Sequence, residues 1–335
     1  MRPGGAREDG DCRTGGWLGH LVMLAAVVAL IPAVSSDTGC QAASPFGLLA
    51  GFSPSSNVSQ AALIDLDIRS MSAALSSAIG DSSLALSIYT GGNYSLGGPS
   101  TSAKRYSLQA LSTQAKAMMY DCAVGCPFKH YQMYFNYFGD HDYADKWVRA
   151  AIERTPTHFA NGLGNANFSS TDVSDAAAAS KGATFLSTWM WSVGMFEEAV
   201  NLCNTTDNTA ALGFWDKGVA YYTGSLEGAD GNNQTGTRSY AERLCVYFKT
   251  CGATGGQTSG GSRVNAEIST LFFDGQRFLK AGQCSPLRAL TYKIVQLMTL
   301  PLVQSTLRSA YQACVAKGKR PLDSATVRFP AACWG

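Results

Sequence analysis

The chain has 335 residues, 15% of them charged, and a formal net charge of +2. That length is ample for a sizeable core in one large domain or two fused ones. The even charge balance gives no reason to expect nucleic acid or an anionic membrane as partner, and the low charge content with abundant Ala, Ser, Gly and Thr suits an exported protein better than a cytosolic enzyme.

Residues 1–36 read as a signal peptide. The apolar run "LVMLAAVVALI" (21–31) is too short to span a bilayer comfortably, Pro32 ends it, and "AVSS" offers small residues for cleavage near Ser35 or Ser36. The segment before it is long and balanced in charge, with Arg2, Arg7 and Arg13 against Glu8, Asp9 and Asp11, which is atypical of a signal peptide and leaves a retained signal anchor as the lesser reading. No later apolar run is long and uninterrupted enough to span. Residues 37–335 are therefore expected to form a secreted domain with no membrane span after signal cleavage.

Leu63, Leu66, Met71, Leu75 and Ile79 fall on one side of a first helix that stops before "GDSS". "SLALSIYT" (83–90) is the main strand candidate. A second helix is expected over 104–119, and a third begins near Asp140, carrying Trp147, Val148, Ala151 and Ile152 before Pro156. In "ATFLSTWMWSVGMFEEAVNLC", Phe185, Trp189, Val193, Phe196 and Val200 recur at intervals of four and three. The other positions are apolar too, which marks a central helix. Further helices are expected over 213–225, 239–248, 264–280 and 286–315, the last kinked or divided at Pro301. The pattern predicts a predominantly α fold, a helical bundle with glycine-rich loops and disulfides. "DKWVRAA" (145–151) and "DKGVAYY" (216–222) share Asp-Lys-x-Val before Gly- and Asn-rich loops, which suggests a duplicated helix-loop unit.

Five N-x-S/T sequons, at Asn57, Asn93, Asn167, Asn204 and Asn233, support export and mark exposed surface if used. Without Cys12, nine cysteines remain: Cys40, Cys122, Cys126, Cys203, Cys245, Cys251, Cys284, Cys314 and Cys333. In an oxidising compartment most should pair, with one left over. "CAVGC" and "CVYFKTC" lack the two-residue spacing of zinc knuckles, so bridges are the better reading.

After residue 36 the only histidines are His130, His141 and His158, which weighs against a histidine-rich metal site. No H-E-x-x-H, G-x-S-x-G or phosphate-binding glycine motif is placed to support catalysis, so the expectation is not an enzyme. Carboxylates are better placed. Asp142 and Asp145 in "FGDHDYADKW" lie at i and i+3 on one helical face, where they could share a cation or simply form an acidic first turn. In "FWDKGVAYYTGSLEG", Trp215, Val219, Tyr222 and Leu226 form a core stripe, with Asp216 and Glu227 on a neighbouring face. A separation of eleven residues would span about 16 Å of helix, so the two acids can cooperate only if the chain turns at Gly224. Glu197 and Glu198 sit among Trp191, Met195 and Phe196, so at least one should be partly buried against Arg, Lys or a metal. Hard oxygen donors with phenolate among them suit Fe³⁺.

The motifs "DYADKW", "FEEAV", "WDKGVAYYTGSLEG", "AERLCVYFKTCG", "RVNAEI" and "LMTLPLVQSTLRSAY" run in order across 140–311. In them the chain resembles the algal low-iron-inducible periplasmic proteins, also called Fe-assimilating proteins, which are related to the surface iron-binding phytotransferrins. The resemblance implies a secreted, non-catalytic protein of the periplasm or cell surface that concentrates ferric iron for high-affinity uptake. It further implies Fe(III) as ligand, with a synergistic anion such as carbonate, and a cell-surface iron reductase or transporter as partner. The family's acidic motif positions fall on Asp142, Asp145, Glu197, Asp216, Glu227 and Glu242, and Tyr222 stands as the phenol ligand beside them. Two positions depart from the family pattern: Lys217 stands where an acid usually follows, and Leu244 where a basic residue is expected. The first weakens any paired-carboxylate arrangement at 216 and 217, and the second weakens an anion seat beside Cys245. A structural or adhesive cell-surface glycoprotein is the competing reading.

Overall fold

The computed structural model describes residues 46–77, 80–95, 106–169, 175–203, 208–225 and 236–316, with side chains to 312. Among them the chain is helical, and the only β pairings are isolated bridges such as Leu49 with Phe52 and Pro156 with Asn167.

A one-turn helix α1 (Ser59–Ala62) leads into α2 (Ile64–Ser76), which buries Leu66, Met71 and Leu75 as the periodicity predicts. The stretch read as a strand is instead helix α3 (Ser82–Gly91). Its buried residues, Ala85, Ile88 and Tyr89, follow helical spacing, and Asp81 caps it by accepting the Leu84 N–H at 2.8 Å. The cap and the i, i+3, i+4 face outweigh an alternation that extends only a few residues.

The expected second helix is two short ones, α4 (Leu108–Thr113) and α5 (Ala115–Met119). After them come α6 (Lys129–Phe138), stopped by left-handed Gly139, and α7 (Tyr143–Glu153), with Trp147, Val148, Ala151 and Ile152 all buried. Helix α8 (Asp175–Gly182) continues through a fully buried π-helical turn, Ala183–Thr188, into α9 (Trp189–Cys203), the central helix. Then follow α10 (Asn208–Thr223), α11 (Thr237–Phe248), α12 (Arg263–Lys280) and α13 (Cys284–Ala316). Pro301 does not divide α13. It is buried where that helix packs on α9, α11 and α12, and this packing outweighs the roughly 3 kcal/mol a helical proline costs.

Helices α9 and α10 form the most extensive pair. Ser192 donates to the Gly218 carbonyl at 2.8 Å, an approach that Gly218 permits because a Cβ there would lie 2.7 Å from Phe196. Three indoles tie neighbouring helices together: Trp147 donates to Ala178 O at 3.3 Å, Trp189 to Met298 O at 3.1 Å and Trp215 to Phe272 O at 3.1 Å. Disulfides join Cys122 to Cys126, Cys203 to Cys284 and Cys245 to Cys251, so "CAVGC" and "CVYFKTC" are bridges. Cys40, Cys333 and the Cys314 side chain lie outside the described residues.

Candidate functional site

The N-terminus of α7 gathers oxygen donors from three helices. Asp140 accepts the Asp142 N–H at 2.8 Å and pairs with Lys146. Asp142 is the exposed residue preceding the helix, and its carboxylate makes no capping bond. One turn on, Asp145 is half-buried, and its N–H donates to Ser112 Oγ of α4 at 2.8 Å. Serving as the cap is thus left to Ser112, and the Asp145 side chain turns elsewhere. Tyr89 of α3 is fully buried, and its hydroxyl lies against the Asp145 carboxylate without forming a hydrogen bond of good geometry. Asp145 Oδ1 is likewise buried without a well-formed hydrogen bond, with Tyr89 and Gln109 beside its carboxylate.

The two groups nevertheless lie close enough to act on each other. Burial pushes the Tyr89 phenol well up, and the Asp145 carboxylate pushes it further. Burial also raises the Asp145 carboxyl, while Tyr89, Gln109 and Arg149 draw it back and Asp142 raises it again. A buried polar atom without a partner costs about 1–3 kcal/mol. Here a phenol and a carboxylate from different helices lie side by side, with the exposed Asp142 carboxylate close enough to act on both.

The remaining acids sit elsewhere. Asp216, in mid-α10, is fully buried, and its Oδ2 accepts the Ser55 N–H at 2.7 Å, the Ser56 N–H at 2.9 Å and Ser56 Oγ at 3.0 Å. Burial raises its carboxyl and these donors pull it back. Although Asp145 and Asp216 share a local motif, one opens a helix and the other lies deep inside one. Glu197 is paired with Arg288 of α13, the ion pair its apolar helix demanded. Tyr222 and Glu242 do come together, through Asn265 of α12: Tyr222 donates to Asn265 Oδ1 at 2.6 Å, and Asn265 Nδ2 donates to Glu242 Oε1 at 2.6 Å. Glu242 Oε2 accepts the Ser262 N–H at 2.7 Å, so both its oxygens are occupied. Helix α10 ends as the Asp216–Glu227 pairing required, with Gly224 left-handed at φ 73° and its N–H on Ala220 O at 2.8 Å, but Glu227 lies outside the described residues. Among the described residues no three His, Cys, Asp or Glu side chains gather as a metal-holding group.

Sequence reasoning missed Tyr89, because it assigned that stretch to a strand. It also passed over Asp65 and Asp67, both buried in α2 among Ile64, Leu66 and Ile68. The argument applied to Glu197 and Glu198, acids inside an apolar run, would have found them. Asp67 accepts the N–H groups of Asn93 at 3.0 Å, Tyr94 at 2.7 Å and Ser95 at 3.4 Å, together with Ser95 Oγ. Asp65 Oδ1 accepts the Ser225 N–H at 3.1 Å and its hydroxyl at 2.8 Å, and burial lifts its carboxyl to about 7.

No described helix is long and apolar enough to cross a membrane. No curated protein and no solved structure matches the chain. A family model described as "low iron-inducible periplasmic protein" matches residues 22–332, nearly the whole length and the family whose motifs the sequence resembles. The chain belongs to the low iron-inducible periplasmic protein family.

Proposed function

We propose that this periplasmic protein binds ferric iron and concentrates it for high-affinity uptake, by binding rather than catalysis. The observation that carries the reading is the juxtaposition of Tyr89 and Asp145, two buried oxygens without a well-formed hydrogen bond, beside the Asp142 carboxylate. Tyr89 and Asp145 supply a phenol and a carboxylate from different helices, and Asp142, exposed at the mouth, is placed to meet an incoming cation. The raised phenol keeps its proton, so Tyr89 adds no second buried negative charge beside Asp145. Fe³⁺ displaces that proton as it binds, because a trivalent cation stabilises phenolate far more than burial disfavours it. Iron held this way, with or without a synergistic anion, would pass to a cell-surface reductase or transporter.

Titration of the purified full chain with Fe³⁺ tests the proposal. The expected result is saturable binding with a visible phenolate-to-iron absorption band. Tyr89→Phe abolishes the band, and Asp145→Asn weakens binding at least about tenfold, a loss of roughly 1.4 kcal/mol. Asp216→Asn leaves the binding stoichiometry unchanged. Absence of saturable binding overturns the proposal. Binding without a band, or a band that survives Tyr89→Phe, removes Tyr89 from the ligand set.

A further inference from the structure

Three of the five sequons lie on described residues, and the fold presents them in two opposite ways. In Asn57-Val58-Ser59 the Asn57 Oδ1 accepts the Ser59 N–H at 3.1 Å and the Ser59 hydroxyl at 2.8 Å. Asn167-Phe168-Ser169 repeats the arrangement, with 3.0 Å to the Ser169 N–H and 2.6 Å to its hydroxyl. In each, asparagine and serine are exposed while the residue between them is buried, Val58 and Phe168 at 3% exposure apiece. The middle side chain pins the turn to the core and leaves the amide and hydroxyl together in solvent.

Asn93-Tyr94-Ser95 is turned the other way. Asn93 and Tyr94 are exposed, but Ser95 is fully buried. Its hydroxyl donates to Asp67 Oδ2 and lies 2.7 Å from the Tyr106 carbonyl. A transferase must engage the hydroxyl at the third sequon position as well as the asparagine amide. At 57 and 167 both groups are offered; at 93 the hydroxyl is locked beneath the surface. The seal is local: its partners Asp67 and Tyr106 lie 28 and 11 residues from Ser95, and no described residue of the C-terminal helices bonds to the Ser95 hydroxyl.

We propose that Asn57 and Asn167 are N-glycosylated and that Asn93, despite its intact sequon, is not. The donor is a lipid pyrophosphate-linked oligosaccharide. The asparagine Nδ2 attacks the anomeric carbon, a C–N bond forms as the C–O bond to pyrophosphate breaks, the lipid pyrophosphate leaves with the bonding pair, and the amide gives up one proton. This inference is independent of iron binding.

The test is the full chain exported through a eukaryotic secretory pathway, with glycans released enzymatically in H₂¹⁸O and the peptides read by mass spectrometry. Labelled aspartate is expected at 57 and 167 in most copies, and unmodified asparagine at 93. Asn57→Gln and Asn167→Gln should each remove one glycan step on a denaturing gel, whereas Asn93→Gln removes none. Glycan at Asn93 in most copies, or unmodified Asn57 or Asn167, overturns the proposal.

Discussion

At the scale of single residues, Asp65, Asp67 and Asp216 perform one kind of work. Each is buried in a helix and spends its carboxylate on N–H groups of chain that is not helical: Ser225, the 93–95 turn, and Ser55 with Ser56. Such anchors satisfy donors that would otherwise be stranded, but they bury charge. Asp65 shows the consequence, with its carboxyl lifted from 3.8 to about 7, chiefly by burial and against the pull of Ser225. Below about pH 4 both folded and unfolded chains hold this proton. Between about 4 and 7 only the folded chain does, so folding stability falls by up to ~1.4 kcal/mol for each pH unit gained, and above 7 the loss is complete. Asp145 and Asp216, also raised, contribute with the same sign. Asp65→Asn keeps an oxygen for Ser225 and removes the titration. Thermal melting from pH 4 to 8 should therefore give a flatter profile for the variant, which ends above wild type at pH 8. Parallel profiles would show that Asp65 does not titrate in this window.

At the scale of elements, helices were legible where apolar residues recur at three and four over several turns, as in Trp189, Val193, Phe196 and Val200, all buried. What the pattern does not contain is how closely two helices approach. Gly275 in "FFDGQ" reads as an ordinary break in helix propensity, yet a Cβ there would stand 1.9 Å from Trp215 Cζ2, so α12 lies directly on that ring. Gly213 in α10 has nothing within 4 Å of its would-be Cβ. The two glycines therefore predict opposite outcomes for the same change. Gly213→Ala should stabilise by up to ~1 kcal/mol through helix propensity. Gly275→Ala should lose ~3 kcal/mol or more, because neither the indole nor the backbone can yield in a packed core. Urea unfolding of both variants reads the sign directly. The misassignment of α3 has a related cause: its cap and buried face show it to be a helix, but a short alternating run reads equally well as strand, and Tyr89 was lost with it.

At the scale of the whole molecule, the candidate site was half legible. Asp142 and Asp145 stand at i and i+3 in one motif, whereas Tyr89 reaches them from α3 and Gln109 and Ser112 from α4, through tertiary packing that no local spacing encodes. Disulfide connectivity is hidden for the same reason. The short bridges follow from proximity along the chain, but Cys203–Cys284 closes a separation of 81 residues, joining the end of α9 to the start of α13. Loop length sets how much each bridge restricts the unfolded chain. On the chain-entropy relation the long bridge contributes ~4.5 kcal/mol, against roughly 2 for Cys245–Cys251, whose separation is 6. Cys203→Ser/Cys284→Ser should accordingly lose about twice the stability of Cys245→Ser/Cys251→Ser in denaturant unfolding. The candidate corner on α3, α4 and α7 contains neither bridge, so on the proposed function each variant should respond to Fe³⁺ as wild type does at temperatures where both remain folded. A long-bridge variant that loses the proposed Fe³⁺ response while still folded would show that the α9–α13 closure holds the candidate corner in register, and that the proposed site depends on the bundle as a whole rather than on α7 alone.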